Sequence, residues 1–381
     1  MNTEQLARTL KDPRYQSYVK LGILAFLVLA SLLPLQKIRD LVIEREKTGD
    51  AAAREIAVSW GGEQRIAGPV LVLPVTANSA GRAATPDSDT GISYTEDGEN
   101  AYDDRRHIFV LPDMLEIESE VRPSKRHRGI YETVVYTSGT RISGSFAQPD
   151  LGDMGVNDAK QIDWSKARIE VFLTDFHGIM DVGNLDWNGS SLPFRTGDPA
   201  RRNIVASLPL LNAGPGQWPA RFSFTLDLKG SRTFGFSPFG GKTRVTLRSA
   251  WPHPSFFGGY LPTESTVTTD GFDARWELSN FERELPVSWL GDDDGADKLL
   301  LRAHNRGILV LLMDPVDHYL KSERSVKYGI LFVILVSCMV FAFEIMSGAR
   351  VHPVQYGMVA AALCLFFLLL LSLSEVVGFG A

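Results

Sequence analysis

Three long apolar segments constrain most strongly what this chain can fold into. They cover residues 19–35, 328–345 and 354–373. A helix needs roughly 20 mostly apolar residues, and at least about 17, to cross the hydrocarbon core of a bilayer. A buried helix of a soluble protein is the alternative for each segment, but the length of these apolar runs argues against it. We therefore expect one transmembrane helix near the N-terminus and two near the C-terminus.

The first apolar segment could instead be a cleaved signal peptide. Residues 32–35 offer no small-residue cleavage site, and the chain continues directly as a charged stretch from Lys37 to Lys47. These features favour an uncleaved anchor. We expect a helical stalk at residues 36–58, broken at Gly49 and capped again by Asp50.

The basic residues near the first segment do not decide its orientation. Four lie before the segment or at its first edge, namely Arg8, Lys11, Arg14 and Lys20, and four follow it, namely Lys37, Arg39, Arg45 and Lys47. Long domains cross a membrane largely regardless of charge. We therefore predict that residues 1–18 are cytoplasmic and that residues 59–318 form an exported domain of a multi-pass membrane protein.

The region between the first two apolar segments has the pattern of β-structure. In RFSFTLDL, the apolar side chains recur at every second position, at Phe222, Phe224, Leu226 and Leu228. This period is typical of strands with one face on a core, and strands that follow strands predict antiparallel sheets. The expected fold class is a membrane-anchored, mainly-β protein, with a large antiparallel β-sandwich-type extramembrane domain between an N-terminal transmembrane helix and C-terminal transmembrane helices. A polar tract at residues 76–106 is expected to be a loop, and residues 297–306 a helix.

Several blocks of the sequence resemble the CreD family of bacterial inner-membrane proteins. They are IRDLVIERE, EIAVSWGGEQRIAGPVLVLPV, RGIYETVVYTSGTRISGSF, FGFSPFGGKTRVTLRSAWPHPSFFGGYLP, PVDHYLKSERSVKYGILFVIL and VHPVQYGMVAAALCLFFLLLLSLSE. The resemblance implies an N-terminal anchor, a periplasmic β-rich domain and a C-terminal helical membrane region. It implies a role in cell-envelope integrity without an assigned reaction. Family members continue with several more membrane helices beyond the equivalent of the short tail at residues 374–381, so we expect either a fragment of a longer chain or an unusually small membrane region.

The motifs that usually carry catalysis or bind metals are incomplete here. Gly235, Ser237 and Gly240 are spaced G-x-S-x-x-G, whereas a nucleophile elbow needs G-x-S-x-G. The GGKT stretch lacks the glycine five positions before Gly241 that a phosphate-binding loop requires. The histidines show no close pairing, and GDDDGAD lacks the final glutamate of a calcium loop. We predict no catalytic residue, no cofactor and no bound metal.

Aromatic residues are concentrated in the segment Trp251 to Pro262, which we predict to be a loop. Such rings could stack on a sugar or insert among lipid headgroups, or they could close the open end of a sandwich. The candidate interaction surface consists of Trp251, His253, Phe256, Phe257 and Tyr260.

A second set of residues matches the family block around the first predicted strand. These residues, whose role is unknown, are Trp60, Gln64, Gly68 and Pro69. An architectural role is the favoured interpretation. Trp60 would fill a junction between helix and sheet, and Gly68 with Pro69 would shape a bend or an edge position.

Glu344 lies near the end of the second apolar segment. A carboxylate at membrane depth is costly and often functional. If the helix ends at this point, the side chain is merely interfacial, and this is the favoured interpretation.

Charge and composition narrow the class of partner. The net charge of -6, without a basic patch, argues against nucleic acid. The expected partners are the lipid bilayer and an envelope protein, glycan or lipid. We predict a structural or interaction protein that maintains the cell envelope and is not an enzyme. The alternatives are a periplasmic module that binds an envelope glycan or lipid, and an uncharacterised hydrolase.

Overall fold

The computed structural model describes most of the chain, in two compact units. The described residues are 13–75, 106–150, 162–209, 217–283, 285–292, 307–312, 318–347 and 351–377. The helical unit comprises residues 1–54, 128–131 and 314–381, and the β unit comprises residues 55–127 and 132–313. The expected helix at residues 297–306 and, apart from Arg106, the expected loop at residues 76–106 lie outside the described residues.

Four helices belong to or begin in the helical unit. They are α1 (Pro13–Trp60), α2 (His318–Lys327), α3 (Gly329–Ser347) and α4 (Pro353–Val377). Among the described residues, α1, α3 and α4 are long and apolar enough to cross a membrane. The expected break at Gly49 was wrong, because α1 continues through it. A glycine inside a helix costs only about 1 kcal/mol, and the strong helix formers at residues 51–57 offset this cost.

Apolar side chains hold the helical unit together. A buried cluster joins Leu35, Ile38 and Val42 of α1 to side chains of the other three helices. A Cβ at Gly329 would lie 2.9 Å from the ring of Phe367, so glycine lets α3 approach α4 closely. Only 22–28% of each apolar stretch is buried within the protein. The remaining faces are suited to contact with lipid.

The described residues of the β unit form two nine-stranded sheets. In chain order the strands are β1 (Gln64–Val75), β2 (Arg106–Val110), β3 (Met114–Arg128), β4 (Tyr131–Phe146), β5 (Arg168–Leu173), β6 (Ile179–Val182), β7 (Leu185–Trp187), β8 (Ser190–Leu192), β9 (Arg195–Thr196), β10 (Asn203–Ser207), β11 (Ala220–Ser231), β12 (Thr233–Ser237), β13 (Lys242–Ser249), β14 (Pro254–Gly258), β15 (Glu264–Thr268), β16 (Gly271–Leu278), β17 (Ser288–Gly291) and β18 (Ile308–Leu312). Sheet I has the order β14-β18-β12-β1-β5-β10-β9, with β2 and β17 paired beside β1. Sheet II has the order β15-β16-β13-β3-β4-β11-β7-β8, with β6 paired to β11.

Side chains from both sheets form one buried core. The alternating residues predicted for β11, such as Phe224 and Leu226, are at most 3% exposed. They belong to the same cluster as Ile66 and Phe234 of sheet I. The predicted fold class, a mainly-β protein with a sandwich-type domain between apolar helices, is confirmed.

Each sheet also contains one parallel pair of strands. In sheet I, β1 runs parallel to β12, and in sheet II, β3 runs parallel to β13. Parallel neighbours need a long crossover connection instead of a tight turn. Strand-like periodicity carries no information on such distant pairing, and for that reason the sequence pattern indicated antiparallel sheets alone.

Candidate functional site

Trp60, the last residue of α1, lies beside two cationic side chains. The guanidinium carbon of Arg126 is 4.6 Å from the centre of its ring, and Nζ of Lys229 is 5.5 Å away. The indole Nε1 donates a hydrogen bond to the carbonyl oxygen of Tyr136 at 3.3 Å. A cation over an exposed tryptophan ring contributes about 0.5–1 kcal/mol. These contacts hold the end of α1 against β3, β4 and β11.

Gln64 is the first residue of β1, four positions after Trp60, and is 1% exposed. Its Nε2 donates hydrogen bonds to the carbonyl oxygens of Asp175 and Lys229, at 3.0 and 3.3 Å. Its backbone N–H donates to Oη of Tyr136 at 3.3 Å, and that hydroxyl donates to the carbonyl oxygen of Thr233 at 2.7 Å. Burial raises the pKa of Tyr136 well above its ordinary value, so the hydroxyl keeps its proton. The network ties sheet I to sheet II.

Asp175 closes the same junction from the loop after β5. Its Oδ2 accepts a hydrogen bond from the backbone N–H of Gly62 at 2.8 Å, and its Oδ1 accepts one from the backbone N–H of His177 at 3.0 Å. The Nδ1 of His177 lies 3.1 Å from the same Oδ1. Burial raises the pKa of Asp175, but these hydrogen bonds outweigh it, and the pKa lies below its ordinary value. The carboxylate therefore acts as a cap for a tight turn.

Glycines allow the junction to close. A Cβ at Gly178 would lie 1.9 Å from Nε2 of Gln64, and a Cβ at Gly230 would lie 2.4 Å from Oη of Tyr136. Atoms at these separations overlap, so no larger residue fits without displacing the hydrogen-bond network. The contacts of Trp60 and Gln64 are those of a packed joint between a helix and two sheets.

Gly68 and Pro69 form a bulge in the middle of β1. The register between β1 and β5 shifts between Ala67 and Val70, and the peptide bond between Gly68 and Pro69 is cis. Gly68 has a φ of +117°, which favours glycine. The bend that we expected is present. The alternative of an edge position was wrong, because β1 lies between β12 and β5.

The aromatic segment after β13 contains a strand, β14, where we expected only a loop. Antiparallel pairing of β14 with β18 explains the difference. Phe256 packs edge-on against Phe272 and Trp276, with ring centres 5.6 and 5.8 Å apart. The hydroxyl of Tyr260 donates to the carbonyl oxygen of Glu282 at 2.7 Å.

The five candidate residues of this segment divide into two groups. Trp251, Phe256 and Tyr260 are half-buried and pack against the central core. His253 and Phe257 are exposed. The structure therefore does not bring the five side chains together as one platform.

Three exposed apolar side chains lie on β14, shortly after it, and in the short helix Asn280–Arg283. Phe257 is 39% exposed, Leu261 is 68% exposed, and Phe281 is 89% exposed. Tyr260 and Glu282 are joined by a hydrogen bond. Leu261 directly follows Tyr260, and Phe281 directly precedes Glu282. Among the described strands, β14 has β18 as its only neighbour, so its outer edge carries unpaired backbone groups.

Glu344 is buried within the helical unit and is 7% exposed. Its Oε1 forms an ion pair with Nζ of Lys20, and its Oε2 accepts a hydrogen bond from the hydroxyl of Tyr356 at 2.8 Å. The backbone N–H of Val351 lies 3.3 Å from Oε1 and donates to it. The favoured interpretation, an interfacial side chain, correctly placed Glu344 near the end of α3. It did not predict the burial of the carboxylate, because the partners that bury it come from α1 and α4.

Comparison with known proteins identifies the family. The family model described as "Inner membrane protein CreD" matches residues 16–381. The chain belongs to the CreD family. It is 30% identical to the inner membrane protein CreD of Escherichia coli K12 over 362 residues, which are 92% of this chain and 74% of that relative.

Solved structures add nothing to this assignment. A crystal structure of an M1 zinc metallopeptidase from Deinococcus radiodurans shares 11% identity with a TM-score of 0.28, and it covers 53% of this chain and 42% of that protein. At this TM-score the likeness supports no conclusion on fold or activity. In the part of this CreD-family chain that the structure describes, no group of three or more His, Cys, Asp or Glu residues is placed to hold a metal.

Several residues of the CreD-family junction were not singled out from the sequence. Tyr136, Asp175 and Lys229 come from three separate strands or loops, and each contacts Trp60, Gln64 or Gly62 only after folding. A buried tyrosine within a strand gives no signal that distinguishes it from other core aromatic residues. Gly178 and Gly230 stand singly in the sequence, so their close contacts with Gln64 and Tyr136 also became evident only in the fold.

Proposed function

We propose that this CreD-family protein contributes to cell-envelope integrity as a membrane-anchored interaction protein, with its β unit in the periplasm and without catalysis of its own. Two observations carry the proposal: β14, which holds the exposed Phe257, has an open edge among the described strands, and the exposed Leu261 and Phe281 adjoin the two residues joined by the hydrogen bond from Tyr260 to Glu282. Exposed apolar groups of this kind are typical of sites that contact another protein.

The edge of β14 suits an extended segment of a partner protein. A peptide that adds to a sheet edge forms main-chain hydrogen bonds with it, and its side chains enter neighbouring apolar sites. Pro254 and Gly258 bound the strand, so they limit the length of edge that is open. The partner would therefore contribute a short strand together with apolar side chains that cover Leu261 and Phe281.

The arrangement of polar side chains supports a role without catalysis. His177 and Asp175 are the described histidine and carboxylate with the shortest mutual contact, 3.1 Å. Asp175 is already engaged by two backbone N–H groups. Among the described residues, the structure places no serine hydroxyl or cysteine thiol in hydrogen-bond contact with His177, whereas a hydrolase needs such a nucleophile beside its base.

The alternative, a module that binds an envelope glycan or lipid through the aromatic segment, has less support. A sugar platform needs ring faces open to solvent. Three of the rings, those of Trp251, Phe256 and Tyr260, pack against the core instead.

Site-specific photo-crosslinking in intact cells tests the proposal. A benzoylphenylalanine replaces Phe257, Leu261 or Phe281 in turn, and Met180 serves as the control because it is 57% exposed but lies on β6. We expect one and the same protein to be captured from the three test positions and not from position 180. Crosslinks to lipid or glycan alone, or identical capture from position 180, would contradict the proposal.

A further inference from the structure

The outer face of sheet II contains a polar groove that the proposed function does not use. It crosses β13, β3, β4 and β11 and has a volume of about 520 Å³. The charged side chains that line it are Glu118, Glu120, Arg141, Asp227 and Arg248, and the hydroxyls of Thr225 and Thr246 lie between them. The volume falls within the range of about 300–1,000 Å³ that is usual for ligand sites.

Gly139, in the middle of β4, lies in the groove directly opposite Asp227. A glycine inside a strand lowers stability by roughly 0.5–1 kcal/mol relative to alanine. Strand glycines often mark a place where a ligand or another backbone approaches closely. If packing does not require a glycine at position 139, close approach of a ligand is the remaining explanation.

Packing explains other strand glycines but not Gly139. A Cβ at Gly144 would lie 2.0 Å from a carbonyl oxygen of β3, and a Cβ at Gly235 would lie 2.3 Å from a carbonyl oxygen of β18. At Gly139 the nearest described atom would be Oδ1 of Asp227 at 3.5 Å, which is an ordinary contact. Within the described residues, the missing side chain serves only to keep the groove open.

Exposed ion pairs engage two of the charged side chains of the groove. Arg122 donates two hydrogen bonds to the carboxylate of Glu120, at 2.9 and 3.2 Å. Arg248 donates from Nε to Oδ2 of Asp273 at 2.6 Å. A ligand would therefore meet these two side chains already engaged in ion pairs.

Other charged groups of the groove are open to a ligand. Within the described ranges, the side chains of Glu118, Arg141 and Asp227 make no direct hydrogen bond, although Glu118 attracts Arg248 and Asp227 attracts Arg122 electrostatically. Carboxylates accept strong hydrogen bonds from hydroxyl and ammonium groups, and a guanidinium donates to hydroxyl oxygens.

The lining defines the chemistry of the ligand. Among the residues that the structure describes, no aromatic or aliphatic side chain lines the groove, so this lining offers no surface for a lipid tail or an apolar peptide. Three carboxylates against two guanidinium groups also disfavour a polyanion. We propose that this groove binds a polyhydroxylated ligand, namely a glycan segment that is neutral or carries amino groups. The glycan would lie over Gly139, where no side chain separates it from the backbone of β4.

Titration of the full-length chain in lipid nanodiscs tests this proposal. The probes are the tetrasaccharides of chitosan, of chitin and of polygalacturonate, which are cationic, neutral and anionic. We expect calorimetric binding of the first two, with weak affinity because no ring stacks on the sugar, and weaker or no binding of the third.

Variants of β4 separate binding from folding. Gly139→Val fills the groove with a side chain that strands favour; we expect about a tenfold or greater loss of affinity without a lower melting temperature. Ser143→Val is the matched control, because Ser143 lies on the same face of β4 opposite Ser223 and outside the groove. Asp227→Asn should weaken binding with little change in volume.

Three results would overturn the inference: no binding of either the chitosan or the chitin fragment, equal binding by the Gly139→Val variant, or tightest binding of the anionic fragment. The photo-crosslinking experiment tests the surface near β14 and not this groove. Its failure would therefore leave the glycan inference untouched, and a failure of glycan binding would leave the proposed function untouched.

Discussion

Tyr356 donates a hydrogen bond from its hydroxyl to Oε2 of Glu344 at 2.8 Å, and this places a phenol against a carboxylate where α3 and α4 meet. Lys20 of α1 pairs with the other oxygen of the same carboxylate. One side chain thus joins the three apolar helices. A charged group surrounded by lipid and apolar side chains is costly unless it is paired, so each member of this cluster depends on the others.

Loss of the carboxylate should destabilise the helical unit more than loss of the phenol. In Tyr356→Phe one hydrogen bond disappears, which costs about 1 kcal/mol. In Glu344→Gln the ammonium of Lys20 also loses its counter-charge, so the loss should be larger, and Lys20→Met in the same chain should restore part of it. Unfolding by sodium dodecyl sulfate in mixed micelles, followed by circular dichroism, measures the loss of stability in each variant and so ranks them. Equal losses in the two single variants would show that the ion pair contributes nothing.

Trp60→Ala should destabilise the β unit by about 2 kcal/mol. The variant loses two cation contacts of about 0.5–1 kcal/mol each and one hydrogen bond of about 1 kcal/mol. Trp60→Phe keeps a ring face for Arg126 and Lys229 but no N–H for the carbonyl oxygen of Tyr136, so it should lose about half as much. Urea unfolding of the full chain in nanodiscs gives both values. The architectural interpretation of Trp60 fails if both variants unfold at the wild-type urea concentration.

Gly178→Ala and Gly139→Ala should differ sharply in stability. The new Cβ at position 178 would overlap Nε2 of Gln64, at 1.9 Å, and the carbonyl oxygen of Lys229, at 2.4 Å. At position 139 the added atom has room, and alanine should raise stability by roughly 0.5–1 kcal/mol. Expression level and melting temperature of the two full-length variants provide the comparison. A Gly178→Ala chain with the wild-type melting temperature would mean that the junction is looser than the contacts of Gln64 require.

Stability should depend on the ionisation of Asp175 at acid pH. Burial raises the pKa of this carboxyl, but hydrogen bonds from Gly62 and His177 lower the pKa by a larger amount. The folded-state pKa therefore lies below the unfolded-state value of about 3.9. The stabilisation is therefore present in full above about pH 5 and is lost as the pH falls through about 4 and below. The difference in free energy of unfolding between wild type and Asp175→Asn should shrink over this window. A difference that stays constant from neutral pH down to about pH 3 would contradict the assignment.

A periplasmic β unit predicts which positions a membrane-impermeant maleimide can reach. The chain has two cysteines, Cys338 and Cys364, and both lie in apolar helices. In a chain with both changed to alanine, Met180→Cys should be labelled in intact cells, whereas His352→Cys, between α3 and α4, should be labelled only after permeabilisation. The opposite pattern would place the β unit in the cytoplasm.

Local sequence properties were enough to predict several elements of this protein. The apolar helices follow from residue composition and length, because the thickness of a bilayer is a fixed external constraint. The alternation from Phe222 to Leu228 indicated which face of β11 is buried, because side chains of a strand point alternately to opposite faces. The position of Gly68 and Pro69 indicated a bend, since proline cannot donate to a sheet ladder.

Only the tertiary structure decided which of these elements meet. Lys20 and Glu344 are 324 positions apart in the chain, and neither residue carries a signal of its partner. The parallel pairing of β1 with β12 and the packing of Phe256 on Trp276 likewise depend on contacts between distant segments. The sequence by itself therefore determined the membrane helices, the strand periodicity and the family, all of which depend on local patterns. The tertiary structure decided the junction around Gln64, the buried ion pair and the open groove over Gly139, because these arise from side chains that folding brings together.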